Sequence, residues 1–386
     1  MNDPPTVRPT RAEVSLGALR SNVAAVRAAL AEGSQARPPR LYGVVKADAY
    51  GHGAPEVALA LQSAGVDGLC VALVEEGIAL RRAGVTLPVL VMSSVPGEGL
   101  GAAVEAGLTP VVHDLSQLEA LGALKAPARV HLKIDSGMHR LGILPADCPE
   151  AARRLRAMPH VTVEGVMTHL ANADCDDPSY SVTQLARFAE ARQSLAAEGI
   201  VPSVVHAANS AAALRMPEAR FDLVRVGIAL YGVCPFPNTA PGLLPAMRLR
   251  TEVLALRTVG PGEPVGYGGT HRTGRKAVLA TIPIGYADGF FRRLSREAEV
   301  LVRGHRCRVV GNVSMDLSSV DVTEVARVHG VAVGDEVVLL GAQSAAGGFG
   351  IIRAEEIADR AGTIAYEVLT ALSRRVPRRH VEAHRV

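Results

Sequence analysis

Between residues 41 and 226 the chain alternates short apolar runs with helix-like stretches, and it does so eight times. The runs are 42–45, 68–72, 88–92, 110–113, 129–134, 162–167, 203–207 and 223–226. Segments such as 55–64, 75–83, 117–124, 149–157 and 183–197 lie between them with helical character. The runs are apolar at consecutive positions, as in strands of a parallel sheet covered on both faces by helices. Eight such units in under 200 residues predict an α/β fold of the (β/α)8 barrel type. An open doubly wound sheet is the structural alternative, but no GxGxxG opens the first unit, which weakens its dinucleotide-binding version. The rhythm breaks near Pro241 and Pro245. Beyond it come strand-like pieces at 251–258, 277–282, 299–302, 307–310, 317–321 and 336–340, then helical pattern at 353–361 and 364–372. The expected organisation is therefore a barrel over residues 1–242 and a mostly β C-terminal domain over 243–386.

Ahead of the barrel pattern, Leu16, Leu19, Val23, Val26 and Leu30 form one apolar stripe, which predicts a helix over 13–33 with Ser15 as its N-cap and Gly33 as its stop. The charge is close to balance, with 41 basic and 38 acidic residues, so no nucleic acid or anionic membrane is expected as a partner. Arg374, Arg375, Arg378 and Arg379 read as a solvated basic tail. The five cysteines are odd in number, far apart and without a CxxC pair, which favours a reducing compartment over a disulfide framework. The first ten residues do not form a signal peptide, and no apolar run reaches membrane-spanning length. A cytoplasmic protein without a metal is the expectation.

Reacting groups of such barrels sit at the C-terminal ends of the strands. Strand one ends at Lys46, with Tyr50 four residues on. A lysine buried at a strand end is driven toward its neutral, nucleophilic form and is suited to a Schiff base. Strand five runs into Lys133, Asp135 and Arg140, and strand six ends at Thr168 and His169. Strand seven ends at His206 with Asn209 and Ser210 following, and strand eight at Arg225 with Gly227 and Ile228 following. Ser210 offers a hydroxyl and Gly227 a close backbone approach, a pair that suits a phosphate monoester. A neutral lysine, a phosphate cradle and an arginine in one barrel mouth fit pyridoxal 5'-phosphate, with Arg225 facing the pyridine nitrogen. A permanently cationic guanidinium opposes protonation of that nitrogen and makes the ring a weaker electron sink.

At these residues the chain resembles the alanine racemase family over nearly its full length. Val45 to Gly53 resembles the family's cofactor-lysine signature, which implies Lys46 as the Schiff-base lysine and Tyr50 as its neighbour. His131 to Gly142 resembles a second block, implying that Lys133 is the lysine carbamylated in many members and that Arg140 contacts cofactor and substrate. The resemblance further assigns His169, Asn209, Ser210, Arg225, Gly227, Ile228 and Tyr366 to the cofactor, Tyr267 to the second catalytic base, and Tyr286, Met315 and Asp316 to the substrate. One departure is Ser314, where many members carry cysteine before Met-Asp.

The implied reaction is the interconversion of L- and D-alanine, supplying D-alanine for peptidoglycan. Proton removal on one face of Cα and delivery on the other calls for two bases within hydrogen-bond reach. Lys46 takes one face and Tyr267 the other. In the family that tyrosine comes from a second subunit, so the resemblance implies a head-to-tail homodimer. Three other readings stay open on the sequence alone: a racemase for another small amino acid such as serine, a single-barrel carrier of the same cofactor, and a barrel decarboxylase. The carrier lacks a second domain, and the decarboxylase places an acid where this chain has Arg225.

Overall fold

The computed structural model describes residues 7–32, 38–93, 95, 97–124, 126–236, 242–345 and 347–384. The chain divides into two compact units, one of Leu19–Ala49 with Gly53–Leu244, the other of Met1–Ala18, Tyr50–His52 and Pro245–Val386. The division is thus not a single cut after residue 242.

The first unit is the expected barrel. Its strands are Arg40–Val44, Gly68–Val71, Val89–Val91, Thr109–Val112, Ala128–Lys133, Val161–Met167, Val204–His206 and Leu223–Val226. Each of the first six pairs in parallel with the next, and the eighth lies beside the first with Arg225 opposite Tyr42. Between the seventh and eighth, Asp222 N–H donates to the Val205 carbonyl (3.1 Å) and Arg225 N–H to that of Ala208 (3.0 Å), which closes the ring. Every residue of the Gly68–Val71, Val89–Val91, Val204–His206 and Leu223–Val226 strands is buried. That burial on both faces is why these strands read as continuous apolar runs. The helix Gly97–Glu105 was hidden by three glycines, and burial of Leu100 and Ala103 holds it despite their poor helix propensity.

The second unit is built on an antiparallel sheet whose path passes from Ala255–Val259 through Ala277–Ile282, Ser318–Asp321, His305–Val310, Glu299–Val302, Glu336–Ala345 and Met247–Glu252. Two further strands extend it, and neither was expected. Arg11–Ser15 pairs antiparallel with Met247–Glu252 and parallel with Arg378–Val381. The helix expected from residue 13 therefore begins only at Leu16 and runs to Ala31. Ser15 does cap it, accepting from Ala18 N–H at 3.0 Å. Gly33, its expected stop, lies outside the described residues. The strand expected at 251–258 is two strands, Met247–Glu252 and Ala255–Val259.

Part of the basic tail is a second correction, although Arg374 and Arg379 are exposed as expected. Arg378 is not a solvated end: its guanidinium donates to the carbonyls of Gly51, Leu372, Ser373 and Val376. Arg375 pairs with Asp316 at 2.7 Å and lies 3.5 Å from the fully buried Asp288. Carbonyl and carboxylate acceptors take up charge that composition alone assigns to solvent. All five cysteines are free thiols.

Candidate active site

Lys46 follows the first barrel strand and opens a turn of unusual hand. Ala47, Asp48, Ala49 and Tyr50 have φ of 52, 55, 53 and 54°, and Gly51 follows at 79°. Four consecutive non-glycine residues thus make a left-handed helical turn, a conformation costing roughly 1–2 kcal/mol per residue. Such strain persists only where surrounding bonds over-determine it, and it clusters at functional sites. The bonds are present. Ala49 N–H donates to the Val45 carbonyl at 2.9 Å, and Asp48 Oδ1 accepts from Ala54 N–H at 2.8 Å. Glu76 Oε1 accepts from Ala47 N–H at 2.7 Å, while its Oε2 accepts from Ala72 and Leu73 N–H at 2.8 and 3.1 Å. One carboxylate therefore ties the loops after the first two strands together. Nothing in the sequence marked Glu76 for that task.

Lys133 ends the fifth strand and is 5% exposed. Burial, reinforced by Arg140 and Arg225, brings its ammonium down to about 8. Beyond it, Asp135 accepts from Gly137 and His139 N–H, both at 3.0 Å, and Ile143 N–H returns to the Lys133 carbonyl at 2.8 Å. Gly142 permits this closure: at its φ of +143° a Cβ would sit 2.4 Å from Asp135 N. The closed loop carries Arg140, which is exposed. Lys46 is half-buried, and burial together with Arg140 lowers its pKa.

Arg225 is the buried centre, 3% exposed. One of its amino groups donates to His206 Nδ1 at 2.7 Å. The other faces the carbonyls of Thr168 and Ala207, both at 2.9 Å, and His169 Nδ1 at 3.4 Å. Burial lowers the guanidinium to about 10, so it stays a cation at neutral pH. His169 is pushed well below the ordinary histidine range by burial and by the fields of Arg225, Lys133, Arg140 and Lys46. Those mutual fields show that five of the predicted residues converge at one end of the barrel. Asn209 accepts from Ala212 N–H at 3.0 Å and starts the short helix Ser210–Arg215. Ser210 Oγ accepts from Gly227 N–H at 2.8 Å, leaving its own proton to donate elsewhere. Ile228 opens the 3-10 turn Ile228–Tyr231, whose first N–H groups lack intrahelical partners.

The other predicted residues belong to the second unit. The Tyr50 ring is buried, 5.9 Å from that of Tyr366. Tyr267 stands 71% exposed between Gly266 and Gly268, both at positive φ. Asn312 Nδ2 clamps its carbonyl at 2.8 Å, so the turn is held while the phenol faces outward. The carbonyls of Ser314 and Met315 accept from Tyr286 and Ala287 N–H at 3.0 and 3.1 Å. That pairing couples the Tyr286 turn to the Met315–Asp316 loop. Asn312 and Arg375 are contributors that sequence reasoning did not assign.

Comparison with known proteins decides the family. Residues 14–235 match the family model "Alanine racemase, N-terminal domain", and residues 246–380 match "Alanine racemase, C-terminal domain". The chain belongs to the alanine racemase family. It is 48% identical to the alanine racemase of Sorangium cellulosum, over 96% of this chain and 99% of that protein. With the alanine racemase of Symbiobacterium thermophilum it shares 46% over 96% and 97% of the two chains. The solved alanine racemase of Streptomyces coelicolor superposes with a TM-score of 0.88 at 37% identity, covering 98% of this chain and 99% of that one. That of Bacillus anthracis, solved with bound L-Ala-P, gives 0.88 at 35% over 98% and 96%. Family membership makes the chain an isomerase of L- and D-alanine, and these relatives lend the serine alternative no support. No helix among the described residues is long and apolar enough to cross a membrane.

Proposed function

We propose that the chain interconverts L- and D-alanine with pyridoxal 5'-phosphate held by its barrel, as a head-to-tail homodimer, and so supplies D-alanine for peptidoglycan. The observation carrying this reading is the convergence of Lys46, Lys133, Arg140, His169 and Arg225 at the barrel mouth, with Arg225 bonded to nitrogens and carbonyls rather than to a carboxylate. The donor set fits the cofactor. Lys46, its charged form disfavoured, suits covalent attachment. Ser210, with Gly227 and Ile228 beside it, suits the phosphate, Arg140 the phenolate oxygen, and Arg225 the ring nitrogen. Tyr50, Asn209 and Tyr366 complete the cofactor's surroundings. When bound, the cofactor supplies an electron sink that acidifies the Cα–H of an amino acid joined to it.

Lys46 holds or removes the Cα proton on one face, and the partner subunit's Tyr267 serves the other. An exposed phenol on a clamped turn suits delivery into a neighbouring copy. Arg225 donates toward His169 Nδ1, which leaves the His169 proton on Nε2. That proton, backed by a fixed cation, can hydrogen-bond the tyrosine oxygen and hold it in place to exchange a proton with Cα. Arg140, Tyr286, Met315 and Asp316 are proposed as substrate residues, with the Arg375 ion pair holding Asp316 in place.

Lys133 is proposed as a carbamate. With its ammonium brought down to about 8, roughly a tenth is neutral at pH 7, against under a thousandth for an ordinary lysine. The amine lone pair adds to CO2, one N–H proton leaves to solvent, and an anion replaces a cation beside Arg140. His113 Nε2, buried without a partner among the described residues and in the field of Lys133, provides a further group for that anion.

The test is exchange of the Cα proton of L-alanine in D2O. Deuterated D-alanine must appear with the pyridoxal-loaded protein. Exchange absent under loading, or CO2 release instead, rules the reading out.

A further inference from the structure

Beneath Arg225 the barrel interior holds a hydrogen-bonded line that none of the proposed chemistry uses. His206 Nδ1 receives the Arg225 proton at 2.7 Å. A guanidinium only donates, so that nitrogen of His206 is the acceptor and its proton lies on Nε2. His206 Nε2 is 2.8 Å from His131 Nδ1, which must then accept in turn. The His131 proton is thereby fixed on Nε2, and Nε2 faces Glu164 Oε2 at 4.0 Å. Both rings are buried, His206 at 0% and His131 at 4% exposure. Burial and the field of Arg225 keep both neutral at pH 7.

Room for the line is made in the sixth strand. A Cβ on Gly165 would lie 2.4 Å from His131 Nδ1, the accepting atom. Glu164, its neighbour, is also paired with Arg129 and lines a cavity of about 400 Å³ with Tyr42, Arg81 and His131. The cavity is large enough for water to bridge the 4.0 Å gap.

We propose that Glu164 and His131 are positioning residues for the racemase site: with His206 they form a one-directional relay from a carboxylate in this cavity to Arg225. Each imidazole turns its lone pair toward the cation and its N–H toward the carboxylate, as in an Asp-His pair. Arg225 makes no carboxylate bond among the described residues, so this line is its route to a counter-charge. The relay holds the guanidinium plane where it meets the cofactor ring and His169. It rests on the reading of Arg225 above, but its first readout does not.

That readout is the 15N spectrum of histidine-labelled protein, with and without cofactor, the two signals assigned by His131→Gln and His206→Gln. Both rings should be neutral with the proton on Nε2. Glu164→Leu should shift His131 toward mixed tautomers and lower kcat roughly tenfold, the loss of one charge-linked hydrogen bond, with KM little changed. Glu164→Gln, which keeps an acceptor oxygen, should restore both. A proton on Nδ1 of either ring, a doubly protonated ring, or Glu164→Leu matching wild type in tautomer and kcat would overturn the proposal. Failure of racemisation with the tautomers as stated would sink the functional reading alone.

Discussion

Ala47→Gly should stabilise the protein, against the usual penalty for that change. Ala47 is exposed, so no packing is lost, and its N–H can still donate to Glu76. At φ 52° its Cβ costs roughly 1–2 kcal/mol, which glycine removes. Glycine also loosens the unfolded chain, at a cost of about 0.4–1 kcal/mol. The balance is a gain of about 0.5–1 kcal/mol. Ala79 gives the control, since it is exposed in the right-handed helix Val74–Arg82. There the same substitution should cost about 1 kcal/mol. Urea titration of both variants under identical cofactor loading reads the comparison, as midpoint shifts of opposite sign at unchanged slope. If Ala47→Gly lowers the midpoint as Ala79→Gly does, the turn is not strained as described. Kinetics on the same samples should show slower exchange, because the turn that aims Lys46 has been loosened.

Lys133 sets a pH dependence. Its folded-state pKa is depressed from 10.5 to about 8, so the folded protein holds fewer protons than the unfolded chain between those values. In CO2-free buffer Lys133→Met should therefore be more stable than wild type by up to about 3 kcal/mol below pH 8, the gap closing as pH rises toward 10.5. Adding bicarbonate should reverse the order by stabilising wild type alone; an identical ranking with and without it refutes the carbamate. Asn312→Ala, which releases the Tyr267 carbonyl, should lower kcat several-fold while cofactor absorbance stays as in wild type, and a loss of cofactor instead contradicts that role. Arg378→Gln should lower the unfolding free energy by about 1–3 kcal/mol, read from a urea titration, since buried carbonyls lose donors; a neutral result would mean the tail is solvated after all.

The barrel was legible because its strands are buried on both faces, and each lies within two residues of its expected place. Ser15 was legible as a cap because capping is local. What escaped was set by distant partners. Arg11–Ser15 becomes a strand only because Met247–Glu252 and Arg378–Val381 flank it, and its few residues carry no pattern strong enough to say so. The left-handed turn was hidden because alanine and tyrosine do not seek positive φ and a single aspartate does not mark a run of it; the bonds of Glu76, Asp48 and Ala49 hold it. Residues proposed to touch the chemistry directly, such as Lys46 and Arg225, stood out by type and by place at strand ends. Glu76, Asn312, His131 and Glu164 are proposed to act through another group, and that second contact lies 29 to 45 positions away for the first two. A single sequence holds no trace of it.

The central claim is that Lys46 and Tyr267 act on one alanine from different copies of the chain. Lys46→Ala and Tyr267→Phe homodimers should each be almost inactive. On mixing and subunit exchange, a hybrid dimer of closed two-fold symmetry has one site carrying both changes and one carrying neither. Cα-proton exchange should then return, to about a quarter of the wild-type rate at statistical exchange. Exchange of subunits confirmed by mass, with no activity regained, would show that the two bases belong to the same chain and would contradict the account.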